Sequence, residues 1–323
     1  MKFEVVRPSE NDSPLLYSLA EFREVILSAL EIVGASAIVE IGAEEGLFDR
    51  QLLGWVRQRG GRLTSIDPAP SDAVRAMADA DDAMALLVTT SIEALADLPA
   101  ADAYLIDGDH NFHTVSNELA LIAAALEAAG RPGLVVAQDC SWPAGRRDQY
   151  YAPDSIPADA AQPWSYGGVT PWDAGVVGGG FRGGGAFAFA RSEGGAANGV
   201  ATAIEGFLDA NPGWRCRWLP CIFGLAFIYP ADAPWAGPLD AALAPFDDHP
   251  LLRRLEANRL LLYLRLIDAQ DRLAEERRTH ADEVTRLRAV VEDQRSTIEA
   301  LEAVAGVSWD LSAVDRSPRG AAR

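Results

Sequence analysis

The feature that most limits how this chain folds lies between Ala35 and Asp139. Short apolar runs alternate there with segments of helical spacing, and the connections are brief. The runs are "AIVEI", "RLTSI", "MALLVTT", "ADAYLID" and "GLVVAQD". Between them, "LFDRQLLGWVRQRG" reads as a helix closed by Gly60 and Gly61. "SIEALADL" and "HTVSNELALIAAALEAAG" read as two more helices. Strands apolar on both faces must be covered on both faces, which predicts a parallel sheet between helical layers. Later strand signals at "GAFAFAR", "WRCRWLP" and "FGLAFIYP", with the helix "NGVATAIEGFLDAN" among them, predict a seven-stranded sheet with an antiparallel edge pair. The expected fold is α/β, doubly wound and mostly parallel, with ligands beyond the carboxyl ends of the strands.

Around that domain, taken as residues 35–232, the chain changes character. Residues 1–34 form a helical lead, its apolar positions (Leu15, Leu16, Leu19, Phe22, Val25, Ile26, Leu30) spaced for a helix from about Pro14 to Val33. Residues 141–184, rich in Pro, Gly, Trp and Tyr and including "GVVGGGFRGGG", predict a packed lid. Residues 233–323 form a helical extension that runs as one helix from about Asp247 to Val304. Val284, Val291 and Ile298 repeat at seven, with Leu287 and Leu301 offset by three, a heptad seam. Leu266 and Leu273 keep the second register, whereas Tyr263, Gln270, Arg277, His280 and Gln294 interrupt it. Homo-oligomerisation through this helix is one reading, and a long helix lying on the body is the other. The tail after Trp309 is expected to fray.

Charge narrows the partners. A formal net charge of -19 repels phosphate backbones and anionic lipid, so neither nucleic acid nor a membrane surface is expected. Cys140, Cys216 and Cys221 have no zinc-site spacing and suggest reduced thiols. With no signal peptide and no bilayer-length apolar run, a soluble cytoplasmic protein is expected.

The turn after the first run, "VEIGAEEGLF", places Glu40, Gly42, Ala43 and Gly46 at a strand end. Gly42 allows a sharp turn and close approach of a ligand to the backbone. The spacing is not that of a dinucleotide loop. Glu44 and Glu45 would repel a phosphate, so a cationic ligand carrying a carboxylate and a ribose fits better. Asp67 ends the second run, where a carboxylate accepts from both ribose hydroxyls. Ser91 is expected to end the third strand, near an expected adenine. Gly42 alone would only make a turn; successive strand-end groups point to a nucleoside site.

This pattern resembles the class I S-adenosylmethionine-dependent methyltransferases, over about Ala35 to Tyr229. "LIDGDH", "QDCSWPAGRRDQYYAP" and "EGGAANGVATAIEGFL" are similar to a bacterial group related to the macrocin-type sugar O-methyltransferases and the cephalosporin hydroxylase-like proteins. The resemblance implies a Rossmann-like sheet, S-adenosylmethionine as cofactor and Asp107 beside its methyl group. It implies His110 as general base, with Asp107, Gln138 and Asp139 as ligands of a divalent cation such as Mg²⁺. Gln138 departs from the group, costing the site a charge and leaving metal use open. A histidine suits proton removal from an acceptor hydroxyl near neutral pH. His113 is the alternative base, and Asp109 an extra ligand or an orienter of His110. Asp107 to Asp109 also reads as a plain turn.

In the lid, Trp142, Tyr150 and Tyr151 can make a flat wall for a ring. Arg146 and Arg147 can clamp a carboxylate or phosphate, with Asp148 orienting one of them. An internal Arg-Asp ion pair holding packed aromatics is the competing reading. The expected activity is O-methylation of a sugar or another small molecule. N-methylation and a non-catalytic S-adenosylmethionine-binding scaffold are the alternatives. The loop spacing disfavours a nicotinamide-dependent oxidoreductase.

Overall fold

The computed structural model describes residues 17–306. Leu15, Leu16 and the tail from Trp309 lie outside them. Up to Ile267 the chain forms one compact unit, and from Asp268 onward a second. Among the described residues, no helix is long and apolar enough to cross a membrane.

The first unit is built on the strands β1 (Ala37–Ile41), β2 (Arg62–Ile66), β3 (Met84–Leu87), β4 (Ala103–Ile106) and β5 (Leu134–Gln138). Small antiparallel pieces follow: β6 (Gln149–Tyr150), β7 (Trp164–Ser165), β8 (Gly168–Thr170), β9 (Asp173–Val177) and β10 (Ala188–Ala190). β11 (Trp214–Leu219) and β12 (Leu225–Pro230) come last. The helices are α1 (Arg23–Val33), α2 (Leu47–Arg57), α3 (Asp72–Ala80), α4 (Ser91–Asp97), α5 (Phe112–Ala129), α6 (Val200–Ala210), α7 (Ala236–Leu243) and α8 (Pro250–Ala305).

The seven-stranded sheet has the order β11-β12-β5-β4-β1-β2-β3. β1 to β5 are parallel, and β12 runs antiparallel between β5 and β11. This is the doubly wound α/β sheet that the alternation demands. One core layer joins the sheet to α1, α2 and α7, through Leu30, Leu52, Val56 and Leu239. The other joins it to α4, α5 and α6, through Leu95, Leu119, Ile122 and Ile204. Strand order reverses between β1 and β4, so a crevice opens at their carboxyl ends.

Two assignments differ from the pattern reading. "GAFAFAR" contributes β10 to a separate three-stranded sheet with β6 and β7, not to the main sheet. Both late strands of the main sheet follow α6. The run at Ala236–Leu243 is a helix of its own, too short to show clear periodicity.

Residues 141–184, the segment expected to form a lid, are held by polar groups. The Arg147 guanidinium is buried and donates to the carbonyls of Ala190 (2.7 Å) and Ala174 (2.8 Å), with Glu193 at 3.7 Å. Asp148 accepts from the backbone N–H groups of Phe112 (2.7 Å) and Gly199 (2.6 Å), and from the Tyr150 hydroxyl (2.6 Å). The lid is thereby tied to α5 and α6.

Candidate active site

The crevice between β1 and β4 is fixed by a close backbone crossing. Gly42 has φ +89°, and a Cβ there would lie 2.2 Å from the Asp107 carbonyl oxygen. Only glycine lets the β4 end pass. Gly46, at φ +72°, heads α2; a Cβ would meet the Val74 and Met77 side chains of α3 at 2.8 and 2.5 Å. A cleft results, lined by Ser18, Leu19, Glu40, Gly42, Ala43, Glu44, Glu45, Leu47, Phe48 and Asp107.

Glu40 is buried at the base of this cleft, with Oε2 lacking a hydrogen-bond partner. Burial, and after it the neighbouring Asp49 carboxyl, hold its pKa well above the usual carboxylate range. Asp49 in turn accepts from the Ser65 hydroxyl. Asp67 follows β2, and its carboxylate accepts from Glu44 N–H (3.0 Å) and Ala69 N–H (2.7 Å). That fixes the carboxylate at the cleft wall while leaving lone pairs for hydroxyl donors. Glu44 itself sits at φ +46°, a strained position for a non-glycine residue.

Ser91 is placed differently from the expectation. β3 stops at Leu87, and Ser91 is the first residue of α4, its hydroxyl against the Glu118 carboxyl of α5. Glu118 is fully buried, and desolvation raises its pKa to about 8. The unfolded carboxyl titrates near 4.5, so between pH 4.5 and 8 the folded chain holds a proton that the unfolded chain has lost. Stability therefore falls as pH rises through that window and levels off above it. At ~1.4 kcal/mol per pKa unit, the ceiling is a few kcal/mol. Glu118→Gln is expected to raise urea stability at pH 8 while changing it little at pH 4.5; a pH-independent effect would contradict the shifted carboxyl.

At the other side of the crevice, Asp107, His110 and Asp139 converge. Their ligating atoms all lie within 4.8 Å of one another. His110 Nε2 is 3.1 Å from Asp139 Oδ2 and 3.9 Å from Asp107 Oδ1. Burial lowers the His110 pKa to about 4, so its ring is neutral at pH 7. Burial raises Asp139 to about 8 and lifts Asp107 well above the carboxylate range, the neighbouring Asp139 adding to the latter shift. Leu19 N–H donates to Asp107. Asp139 occupies φ +56° and has a buried Oδ1 without a partner. A strained, under-satisfied carboxyl beside a neutral imidazole makes this cluster the candidate for the chemistry of the site.

The remaining candidates separate. Gln138 donates through Nε2 to the Tyr17 carbonyl, and its buried Oε1 has no partner. His113 lies in the first turn of α5, with Nδ1 3.5 Å from Asn117 Nδ2, outside the Asp107–His110–Asp139 cluster. Asp109 does not orient His110: it accepts from the Asn111 amide (2.5 Å) and from Tyr151 N–H (3.0 Å), fixing the loop to the lid. Arg146 forms a two-pronged pair with Glu205 of α6 (2.6 and 2.5 Å). Arg147, Asp148 and Tyr150 are engaged within the lid as described, so the paired guanidinium clamp is not formed. Trp142 packs on Phe181, with ring centroids 6.1 Å apart. Tyr151 stands over the cluster, half exposed, its ring 5.9 Å from His110. The Asp139, Asp107 and Glu44 carboxyls add to the burial that raises its pKa. The N-terminal edge of the cleft, Tyr17 to Leu19, was not anticipated; a contact between residues 19 and 107 leaves no local sequence signal.

A glycine-turned β1 end, a strand-end acid on β2 and the Asp107–His110–Asp139 cluster at β4 and β5, all on this sheet order, fit a class I S-adenosylmethionine-dependent methyltransferase. Residues 39–140, about a third of the chain, match the family model described as a methyltransferase domain. No curated protein matches the chain by sequence. Among solved structures it is similar to the SAH-bound methyltransferase PaMTH1 of Podospora anserina (15% identity, 62% of this chain, 77% of that one, TM-score 0.37). It is also similar to a putative caffeoyl-CoA O-methyltransferase from Staphylococcus aureus (12%, 67% and 85%, TM-score 0.40). A third likeness is to a putative O-methyltransferase from Klebsiella pneumoniae (16%, 69% and 83%, TM-score 0.34). These likenesses are distant, and the class rests on the family match and the strand-end geometry.

Proposed function

We propose that this chain methylates a hydroxyl oxygen of a small molecule, a sugar or glycosylated metabolite, with His110 as general base. The observation that carries the reading is the buried, neutral His110 ring beside Asp139 and Asp107 at the switch-point crevice. When bound, S-adenosylmethionine would supply an electrophilic methyl group to the acceptor oxygen and would leave as the neutral thioether, keeping the electron pair of the broken carbon–sulfur bond. The hydroxyl proton passes to the His110 ring. Asp67 would hold the ribose, the Gly42–Gly46 turn the methionine portion, and the acidic cleft the cationic sulfonium and amine. Tyr151, half exposed above the cluster, offers a face on which a sugar ring stacks.

The donor set also fits a divalent cation. Asp107 and Asp139 would hold it, and the free Oε1 of Gln138 is a third oxygen. Such an ion lowers the pKa of a bound hydroxyl, and oxygen donors suit Mg²⁺. The three unpaired cysteines support a reducing compartment, the cytoplasm.

Calorimetric titration with S-adenosylmethionine and S-adenosylhomocysteine, with and without Mg²⁺, tests the reading. Micromolar binding is expected, weakened at least ~10-fold in Asp67→Ala, because hydrogen bonds to a charged acceptor are worth ~1.5–3 kcal/mol. Mass spectrometry of glycoside acceptors should then show one added methyl group on oxygen. Folded protein that binds neither nucleoside would remove the proposal.

A further inference from the structure

We propose that the C-terminal helix joins two copies of this chain as a parallel, in-register, two-stranded coiled coil over residues 270–304. The part of α8 from Asp268 to Ala305 is continuous helix, ~57 Å long at 1.5 Å per residue. Within it Leu273, Leu287, Val291 and Leu301 are 46%, 51%, 62% and 62% exposed. They belong to the heptad seam, with Val284, Val291 and Ile298 at a and Leu273, Leu287 and Leu301 at d.

Beside the seam, Val290 and Val304 at g are also exposed, and the remaining large side chains of this segment are polar. The segment carries exposed ion pairs within one helix, Arg272–Asp268, Arg278–Glu275, Arg286–Glu283 and Arg295–Glu299. Each such pair is worth only ~0.2–0.5 kcal/mol. They do not replace tertiary cover for a helix of this length, which draws most of its stability from packing its apolar stripe.

Three features select a second copy over a foreign partner. β-branched residues at a with leucine at d is the composition that favours two parallel strands. Glu283 at g faces Arg288 at the following e of the opposite helix, and no g–e pair from Ala269 to Glu302 sets like charges together. Gln270 at a and Gln294 at d would each meet their own copy only in a parallel, in-register pair, where one amide donates and the other accepts. A slip of one heptad sets Gln294 against Leu287 or Leu301, and the reversed pairing that brings Gln270 opposite Gln294 sets Arg277 against Leu287 and His280 against Val284, so the polar layers favour the parallel register at some cost in stability. Glu276 at g likewise neighbours Arg277 at a across the pair, offsetting that layer.

The seam also has a defined upper limit. Tyr263, the preceding a residue, has its ring 6.2 Å from that of Phe181, and Leu260 and Leu264 beside it are buried. These turns of α8 are already packed within the first unit and are not offered to a second chain.

The experiment uses the full chain. Light scattering should give twice the 34.6 kDa chain mass. Under mild oxidation Leu287→Cys should form a disulfide-linked dimer that the parent, with its three native cysteines, does not. A mixture of Leu273→Cys and Leu301→Cys chains should link only 273 to 273 and 301 to 301. Leu287→Asp with Val291→Asp should be monomeric, with S-adenosylhomocysteine affinity unchanged. A monomeric or three-chain parent, a link between 273 and 301, or a dimer that survives the double aspartate variant overturns the proposal. None of these outcomes depends on the acceptor or on the methyl-transfer reading.

Discussion

His110→Ala is expected to lower kcat by ~10²–10⁴-fold, the usual contribution of a positioned general base, while S-adenosylhomocysteine affinity changes by no more than a few fold. The split follows from the geometry. His110 stands at the β4–β5 side of the crevice, 3.1 Å from Asp139, whereas the cleft wall at Glu40, Gly42 and Glu44 is formed without it. Its buried ring is neutral at pH 7 and can accept a proton. His110→Asn keeps a polar side chain of similar reach but cannot take up the proton, so it should be as slow as the alanine variant. His113→Ala, altering a ring that lies beside Asn117 outside the cluster, should retain most of the activity. Single-turnover rates of methyl transfer to an unmethylated acceptor found by mass spectrometry, alongside calorimetry, measure both halves. If His110→Asn kept near-parental kcat, proton removal would lie elsewhere and His110 would be at most a metal ligand or a packing group.

What the sequence made legible follows from how local each signal is. Glu40, Gly42, Asp67 and Asp107 sit at strand ends, and a parallel sheet brings such ends together whatever the loops do. Reading five apolar runs was therefore enough to assemble the crevice before any contact was known. Ser91 was displaced because β3 ends at Leu87, three residues before its apolar run does, with Thr90 instead capping α4 by accepting from Glu93 N–H. The arginine pair misled for a different reason. Its partners, Glu205, Ala174 and Ala190, lie 27 to 59 residues away along the chain. Nothing adjacent to "GRRD" shows that both guanidiniums are already spent. Asp148 was read as an orienter of arginine, yet its oxygens serve two backbone N–H groups and a tyrosine, a role set wholly by tertiary contact. The convergence of His110 on Asp139 depends on the left-handed turn at Asp139, which composition does not announce.

Gly42→Ala is expected to abolish measurable cofactor binding, a loss of at least ~100-fold, and to lower thermal stability. Two costs act at once. The residue holds φ +89°, where an L side chain is strained by ~1–3 kcal/mol. The new Cβ would also stand 2.2 Å from the Asp107 carbonyl oxygen and 2.8 Å from Gly108 Cα, both backbone atoms that no rotamer change can move. Relief requires the β4 end to move away from β1, and those strands hold the two sides of the crevice, Glu40 on one and the Asp107 cluster on the other. Gly54 supplies the control. It lies inside α2 with open space where a Cβ would project, so Gly54→Ala should stabilise by ~0.5–1 kcal/mol and leave affinity untouched. Melting curves and S-adenosylhomocysteine titration of the two variants side by side separate crevice geometry from general tolerance. Parental affinity in Gly42→Ala would show that the crossing of β1 and the β4 loop has slack, and that the cofactor is not held by this turn.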